Sequence, residues 1–358
     1  MCYYGYKYRL GHEGKTMKVT ISDIAKAANV AKSTVSKVLN DSPKISQETK
    51  EKVREIMQQM NYTPSSMATG LARQSSYTIG LLVDMSKESE FLNQFFYNII
   101  GGIESVIAPL KYELTLSNVQ HSSPEGHFLN RLVHSKRVDG IIANNSVLTA
   151  ELSEELNRLE FPYISIGEIK GPGSWVDFDN EAGGRLLTEH LIEQGYSKIA
   201  FIGGQQQEKI YTHRLRGYLQ AMEKAQLPIH PPWIVNCGAD EHDSYQAALE
   251  LLKDEERPDS VVCMNSYTAF GVLQATKSLG IPVPSQLGIA AFDDYPLSRY
   301  TTPPLTSLNI DTFKLGVISG ELLMEHIHGK NMPSKHLLLE PELNARESTM
   351  RSKYLGGS

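Results

Sequence analysis

Between residues 20 and 60 the apolar positions recur at helical spacing in three short runs, each backed by a polar face. In the first, Ile24, Ala25 and Ala28 form the apolar side, Thr20 is placed to cap, and Asp23 stands at the return spacing of a capping box. The pattern breaks at Asn29. In the second, Val35, Val38 and Leu39 fall at i, i+3 and i+4 and must face a core, so Lys32, Ser33, Ser36, Lys37 and Asn40 share the opposite side. The third run, residues 45–60, has Ser46 at its cap and Val53, Ile56, Met57 and Met60 as its stripe. Helices this short are unstable alone, so the pattern predicts three stripes closing on one small core.

From residue 77 the pattern changes to short apolar runs alternating with helical ones. Strands are predicted over 79–83, 112–116, 140–143, 163–166, 198–202, 234–237, 260–263 and 288–292, with helices such as 182–194 and 213–225 between them. This is the βα alternation of parallel sheets, and eight strands over about 270 residues exceed one simple sheet. Ligands of such sheets bind outside the carboxyl ends of the strands. Those ends carry Asp84, Asn144 with Asn145, Gly167 with Glu168, Asn265, and Asp293 with Asp294. Carboxylates and amides of this kind can bridge neighbouring hydroxyls, yet each also suits a helix cap or an ion pair. Asp294 and Asn180 are assigned to that structural role. Residues 62–76 join the two regions: the Thr-Pro-Ser-Ser entry starts a helix that Gly70 weakens by about 1 kcal/mol against Ala.

At 358 residues, 41% hydrophobic and 21% charged, the chain suits two or three domains with proper cores. Its net charge of −6 is unevenly spread: residues 17–73 carry +4 and residues 1–16 carry +2, which leaves −12 on the rest. A basic head on an acidic body favours a polyanionic partner for the head alone. Cys2, Cys237 and Cys263 form no CxxC and have no His at metal spacing, so neither a disulfide framework nor a metal site is expected. No run approaches a membrane span, and the first sixteen residues lack the apolar core of a signal peptide, so a cytoplasmic protein is expected. Those sixteen precede Met17, and the EGKT before it can be encoded by a purine-rich ribosome-binding site. Met17 is therefore expected to be the native start, the alternative being a basic, Tyr-rich arm.

Any one polar residue on the second helix would ordinarily be a solvated surface group. Taken together, on a basic head, they are the groups a helix in the major groove needs: Lys for guanine or phosphate, Ser and Asn for base edges or backbone oxygens. With TISDIAKAANVAKSTVSKVLND at 20–41, YTPSSMATGLARQ at 62–74, RVDGII at 137–142, DNEAGGRLLTEHLIEQGYSKIAFIGG at 179–204 and AAFDDYPLSRYTTPPLTSL at 290–308, the chain resembles the LacI/GalR family of transcriptional regulators along nearly its whole length. The resemblance implies a helix-turn-helix head over 17–62, a hinge over 63–76, and an α/β body over 77–349. The body would have two periplasmic-binding-protein-like lobes with parallel sheets, crossed near Trp175, Pro304 and Lys330. The N-lobe would hold about 77–174 and 305–330, the C-lobe about 175–304 and 331–349, with a tail over 350–358. DNA contacts are expected from Thr20, Lys32, Ser33, Thr34, Ser36, Lys37, Asn40, Lys44, Tyr62, Leu71 and Ala72. Leu71 would be wedged into a minor-groove step when two hinges pair, the alternative being that it packs on the body.

Effector contacts are expected from Asp84, Asn144, Glu168, Arg214, Asn265 and Asp293, with Arg214 of HRLRGY at the family's clamping position. Two departures from the family pattern stand out: Ala31 where a Ser would cap the second helix, and Ser266 where an Asp usually follows the Asn. The implied partners are a palindromic double-stranded operator, a second copy of the chain and a small carbohydrate, with maltose-like glucosides favoured by IGEIKGPGSWVDFDN and FFYNIIGGIE. Trp175 suits a pyranose face or a core position equally. A global catabolite regulator with a phosphoprotein co-effector is the alternative within the family. An enzyme or plain solute receptor on the same body is the alternative outside it. No cofactor is expected: FIGGQQQ lacks the GxGxxG spacing, and neither GxSxG nor HExxH occurs. The tail after Thr349 has no Leu heptad to make a tetramer.

Overall fold

The computed structural model describes residues 19–62, 75–84, 94–119, 127–329 and 333–351. The expectations for residues 1–16 and for Leu71 and Ala72 lie outside the described residues. The chain divides into two units between Ser76 and Tyr77.

The first unit holds α1 (Ile21–Ala27), α2 (Lys32–Leu39) and α3 (Gln47–Gln59). The capping box at α1 forms, with the Thr20 amide 2.9 Å and its hydroxyl 2.7 Å from Asp23 Oδ2. Asn29 then turns the chain through a left-handed φ of 56°, a conformation Asn tolerates, and Val30 N–H donates back to Ala25 O at 3.0 Å. Ile24, Ala25, Ala28, Val35, Val38 and Val53 are buried together, with Leu39, Ile56, Met57 and Met60 packed against them. Ser46 caps α3 by accepting from the Thr49 amide at 3.3 Å. Lys50, a buried lysine, reaches the turn after α2 and pairs with Asp41 at 2.9 Å, while Arg54 meets the same carboxylate at 3.0 Å.

The second unit runs β1 (Thr78–Val83), α4 (Gln94–Ile107), β2 (Glu113–Asn118), β3 (Gly140–Asn144), α5 (Ala150–Arg158), β4 (Tyr163–Ile166) and β5 (Ser174–Phe178). Then come α6 (Asn180–Glu193), β6 (Ile199–Ile202), α7 (Lys209–Lys224), β7 (Ile234–Val235), α8 (Glu241–Leu252), β8 (Ser260–Cys263), α9 (Ser266–Leu279), β9 (Gly288–Ala291) and β10 (Thr306–Asn309). The chain ends with α10 (Thr312–His328), β11 (His336–Leu339) and β12 (Glu342–Asn344). Two six-stranded sheets result, ordered β11-β5-β4-β3-β1-β2 and β12-β10-β9-β8-β6-β7. Among the described residues the pairings of these strands are parallel except that of β12 with β10. Near-continuous burial along β6, β8 and β9 follows, because each of these strands is covered on both faces.

Sheet membership corrects the expected crossings between lobes. β5, with Trp175 in it, pairs in the first sheet, so the chain leaves that lobe after Phe178 and not near Trp175. β10 belongs to the second sheet, which moves the return from Pro304 to about 310, and β11 rejoins the first sheet, which moves the last crossing from Lys330 to about 340. Residues 175–178 and 336–339 therefore belong to the N-lobe, and residues 305–309 to the C-lobe. The hydrophobic pattern predicts none of β5, β10, β11 and β12. They are three to five residues long, and β11 is mostly exposed, so their apolar content does not announce them.

Candidate DNA-reading surface and ligand cleft

On α2 the side chains of Lys32, Ser33 and Lys37 are exposed, Thr34 and Ser36 are half-buried, and Val35 and Val38 are buried beneath them. Lys44 is exposed in the following turn. The other expected contacts among the described residues, Thr20, Asn40 and Tyr62, already have intramolecular work. Thr20 holds Asp23, whose carboxyl these hydrogen bonds keep below its ordinary range, and the Asn40 amide donates to Ser36 O at 3.0 Å. Tyr62 packs half-buried against the head core. Ala31 occupies the N-cap of α2 and offers no side-chain acceptor to the first turn.

In the second unit the strand ends of the C-lobe gather around Arg214, a buried residue of α7. Its Nε donates to Asn180 Oδ1 at 2.9 Å, one Nη donates to Met264 O, and the guanidinium carbon lies 4.0 Å from the centre of the Phe292 ring. The other Nη stands 3.6 Å from Asp293 Oδ1, close enough for ion pairing and too long for a hydrogen bond. That oxygen is buried without a hydrogen-bond partner among the described residues. Asp293 holds a left-handed φ of 68°, and Ser266 donates its hydroxyl to the Asp293 carbonyl. The Ser at 266 thus has a structural reason: a carboxylate there would face that carbonyl with no proton to give. Asp294 points away, gripped by Arg346 through two 2.7 Å bonds.

Close helix packing puts Arg214 in place. A Cβ at Gly184 of α6 would lie 2.1 Å from Arg214 O, and one at Gly217 would lie 2.0 Å from Glu181 O, so only glycines permit this approach of α6 to α7. Asn180 is not the cap that its place at a helix start suggests. Asp179 caps α6 by accepting from the Ala182 amide at 2.8 Å, which releases Asn180 to orient the guanidinium. Asp177 completes the group: it is half-buried and accepts from the Glu168 amide at 3.1 Å and from the Asn180 side chain at 3.3 Å. Burial raises the pKa of both Asp177 and Asp293, and the Arg214 charge works against that rise. Burial also lowers Arg214 from its ordinary value, opposed by the two carboxylates.

Of the other expected residues, Asn265 caps α9, accepting from the Thr268 amide at 2.8 Å and donating to Ala239 O at 2.9 Å. Asn144 is exposed and accepts from the Ser146 amide at 2.9 Å, and Asp84 stands half-buried at the end of β1. Glu168 does not reach Arg214. It meets Lys209 at 2.6 Å and His213 at 3.2 Å, both on α7. Trp175 is stacked on His336 with ring centres 4.8 Å apart. Beside this group opens a cavity of about 270 Å³ lined by Glu168, Trp175, Asp177, Asn180, Arg185 and His213. Sequence reasoning alone does not reach Asp177, Asn180, Lys209 and His213 as members of this site. The one signal it offers is that Lys209 and His213 lie i, i+4 on the helix that carries Arg214. Among the described residues no cluster of His, Cys, Asp or Glu is placed to hold a metal, and no helix is long and apolar enough to cross a membrane.

A helix-turn-helix head followed by a two-lobed α/β body is the architecture of a DNA-binding transcription regulator. Residues 20–65 match bacterial regulatory proteins of the lacI family, and residues 188–349 match the periplasmic binding protein-like domain. The chain is 31% identical over 335 residues to the HTH-type transcriptional repressor PurR of Vibrio vulnificus, covering 93% of this chain and 99% of that protein. A lac repressor dimer bound to operator and the anti-inducer ONPF superposes with a TM-score of 0.79 at 25% identity, covering 93% of this chain and 99% of that one. A complex of the transcriptional regulator CelR with cellobiose does so with a TM-score of 0.69 at 27% identity, covering 92% and 99%. The chain belongs to the LacI family of DNA-binding transcriptional repressors.

Proposed function

We propose that this protein is a homodimeric repressor that reads a palindromic operator with Lys32, Ser33, Ser36 and Lys37 and changes its operator affinity when a small carbohydrate enters the cleft at Arg214 and Asp293. The observation that carries the effector reading is the buried Asp293 Oδ1, an acceptor with no donor among the described residues, 3.6 Å from a guanidinium that three other groups already hold rigid. A buried acceptor of this kind gains most from an O–H donor, and a carboxylate beside a fixed Arg suits vicinal hydroxyls. The neighbouring cavity is lined by Asn180, the residue that holds Arg214. The similarity to CelR in its complex with cellobiose supports a carbohydrate over other polar ligands, and maltose-like glucosides are the first candidates. Asp84, Asn144 and Asn265 are assigned to the rim of the same cleft. A second copy of the chain supplies the other half of the operator contact, with Leu71 and Ala72 at its centre.

A thermal-shift screen of neutral sugars and sugar phosphates tests this reading. A ligand at about 100 times its dissociation constant adds about 2.7 kcal/mol to stability, a shift readily seen. The expected hit is a neutral mono- or disaccharide whose shift disappears in Asp293→Ala. No shift with any neutral sugar, or a shift that persists undiminished in Asp293→Ala, would reject the carbohydrate assignment at this site.

A further inference from the structure

Glu168 follows β4 in the N-lobe sheet, whereas Lys209 and His213 lie on α7, which packs on the C-lobe sheet. The contacts of 2.6 and 3.2 Å therefore cross between the lobes. All three side chains are only about a third exposed, at 33%, 27% and 30%. Burial works to raise the Glu168 pKa, but the Lys209 hydrogen bond and the Lys209 and His213 charges outweigh it and hold the carboxyl below its ordinary value. Both halves of the contact are anchored on their own lobes. Asp177 accepts from the Glu168 amide, Asn145 donates to the Glu168 carbonyl at 3.3 Å, and α7 is fixed on α6 by the glycine approach at Gly184 and Gly217. A displacement of one lobe relative to the other thus cannot be absorbed by loose loops and must stretch the ion pairs. Three crossings, near 179, 310 and 340, join the lobes covalently.

We infer that Glu168, Lys209 and His213 form an electrostatic latch that sets the spacing of the two lobes, and that Glu168 acts through this latch and not as a direct effector contact. This refines the role of one residue in the cleft proposed above but does not require the ligand to be a sugar. Asp177 accepts from both the Glu168 amide and the Asn180 side chain that holds Arg214, so a ligand seated at Arg214 is linked to the latch and shifts the lobes through it. Partly desolvated pairs of this kind are less screened than exposed ones, so the latch weakens only gradually with salt.

The test measures interlobe distance by pulsed electron spin resonance on the effector-free, full-length chain, with spin labels on cysteines introduced at the exposed Glu154 and Glu255 and the native cysteines replaced by alanine. Glu168→Gln and Lys209→Met should each shift the distance distribution to longer values. Their combination should go no further than Glu168→Gln alone, because that variant already breaks the contacts to both Lys209 and His213. Glu168→Lys with Lys209→Glu should restore most of the original distribution. Distributions unaltered by both single variants, or additive effects with no recovery in the exchanged pair, would overturn the latch. Because no sugar is present, this outcome stands apart from any failure of the carbohydrate reading, which would show only in the ligand screen.

Discussion

At the scale of single residues, the roles proposed for the exposed face of α2 and for the Arg214 cluster can be tested separately. Lys37→Ala and Ser33→Ala should alter operator preference, since both are exposed opposite the buried Val35 and Val38. A base-edge contact is worth about 1–3 kcal/mol, so binding to the cognate site should weaken by that amount while binding to scrambled DNA changes less. Equal losses on both DNAs in a gel-shift titration would place these side chains on phosphates instead. Asp294 offers an independent check on the C-lobe. Burial raises its pKa, but the Arg346, Ser307 and Asn344 hydrogen bonds pull it below the ordinary 3.8. A carboxylate lowered in the folded state contributes stability that is complete above its unfolded value and is lost as pH falls through the folded one. Asp294→Asn should therefore cost about 3 kcal/mol, undiminished from neutrality down to about pH 5 and shrinking only below 3.8, in urea unfolding at a series of pH values.

Secondary-structure elements differ in how far their residues announce them. The three head helices are legible because their stripes and caps are local: Ser46, Asp23 and the Asn29 break each act within a single turn or two. Ala31 is the weak point, and Ala31→Ser should stabilise the start of α2 by about 1 kcal/mol, read as roughly fivefold slower amide exchange along that helix. Strands β5, β10, β11 and β12 escape such a reading because pairing partners far along the chain make them strands, not their own pattern. β10 finds β12 across a stretch of chain that includes all of α10. The close approach of α6 and α7 is equally invisible, since a glycine's need for space depends on the facing backbone. Gly184→Ala should force the two helices apart and destabilise the body by about 1–3 kcal/mol or more, and it should also blunt the effector response by moving Arg214. An unaltered midpoint in both assays would show that α7 relaxes freely.

For the molecule as a whole, the sequence motifs carry the fold class and single out Arg214 and Asp293, which the fold brings within 3.6 Å of each other, while the rest of the candidate site depends on tertiary meetings. Asn180 is next to the true cap, Asp179, and only the return of α7 gives it a guanidinium to hold. Glu168 reads as a strand-end carboxylate, and only the juxtaposition of lobes reveals Lys209 and His213 opposite it. The basic head and acidic body predict steep salt dependence: each phosphate that the head neutralises steepens the fall of log affinity with log salt concentration by about 0.9. The central claim joins the two units: a hydroxyl-bearing ligand held at Arg214 and Asp293 changes operator binding. Its most direct test titrates the sugar found in the stability screen into protein bound to operator, with wild type, Arg214→Ala and Asp293→Ala compared by fluorescence anisotropy of the labelled DNA. The account predicts that all three bind operator equally without sugar and that only the wild type responds to it. A wild-type midpoint and amplitude in either variant would contradict it.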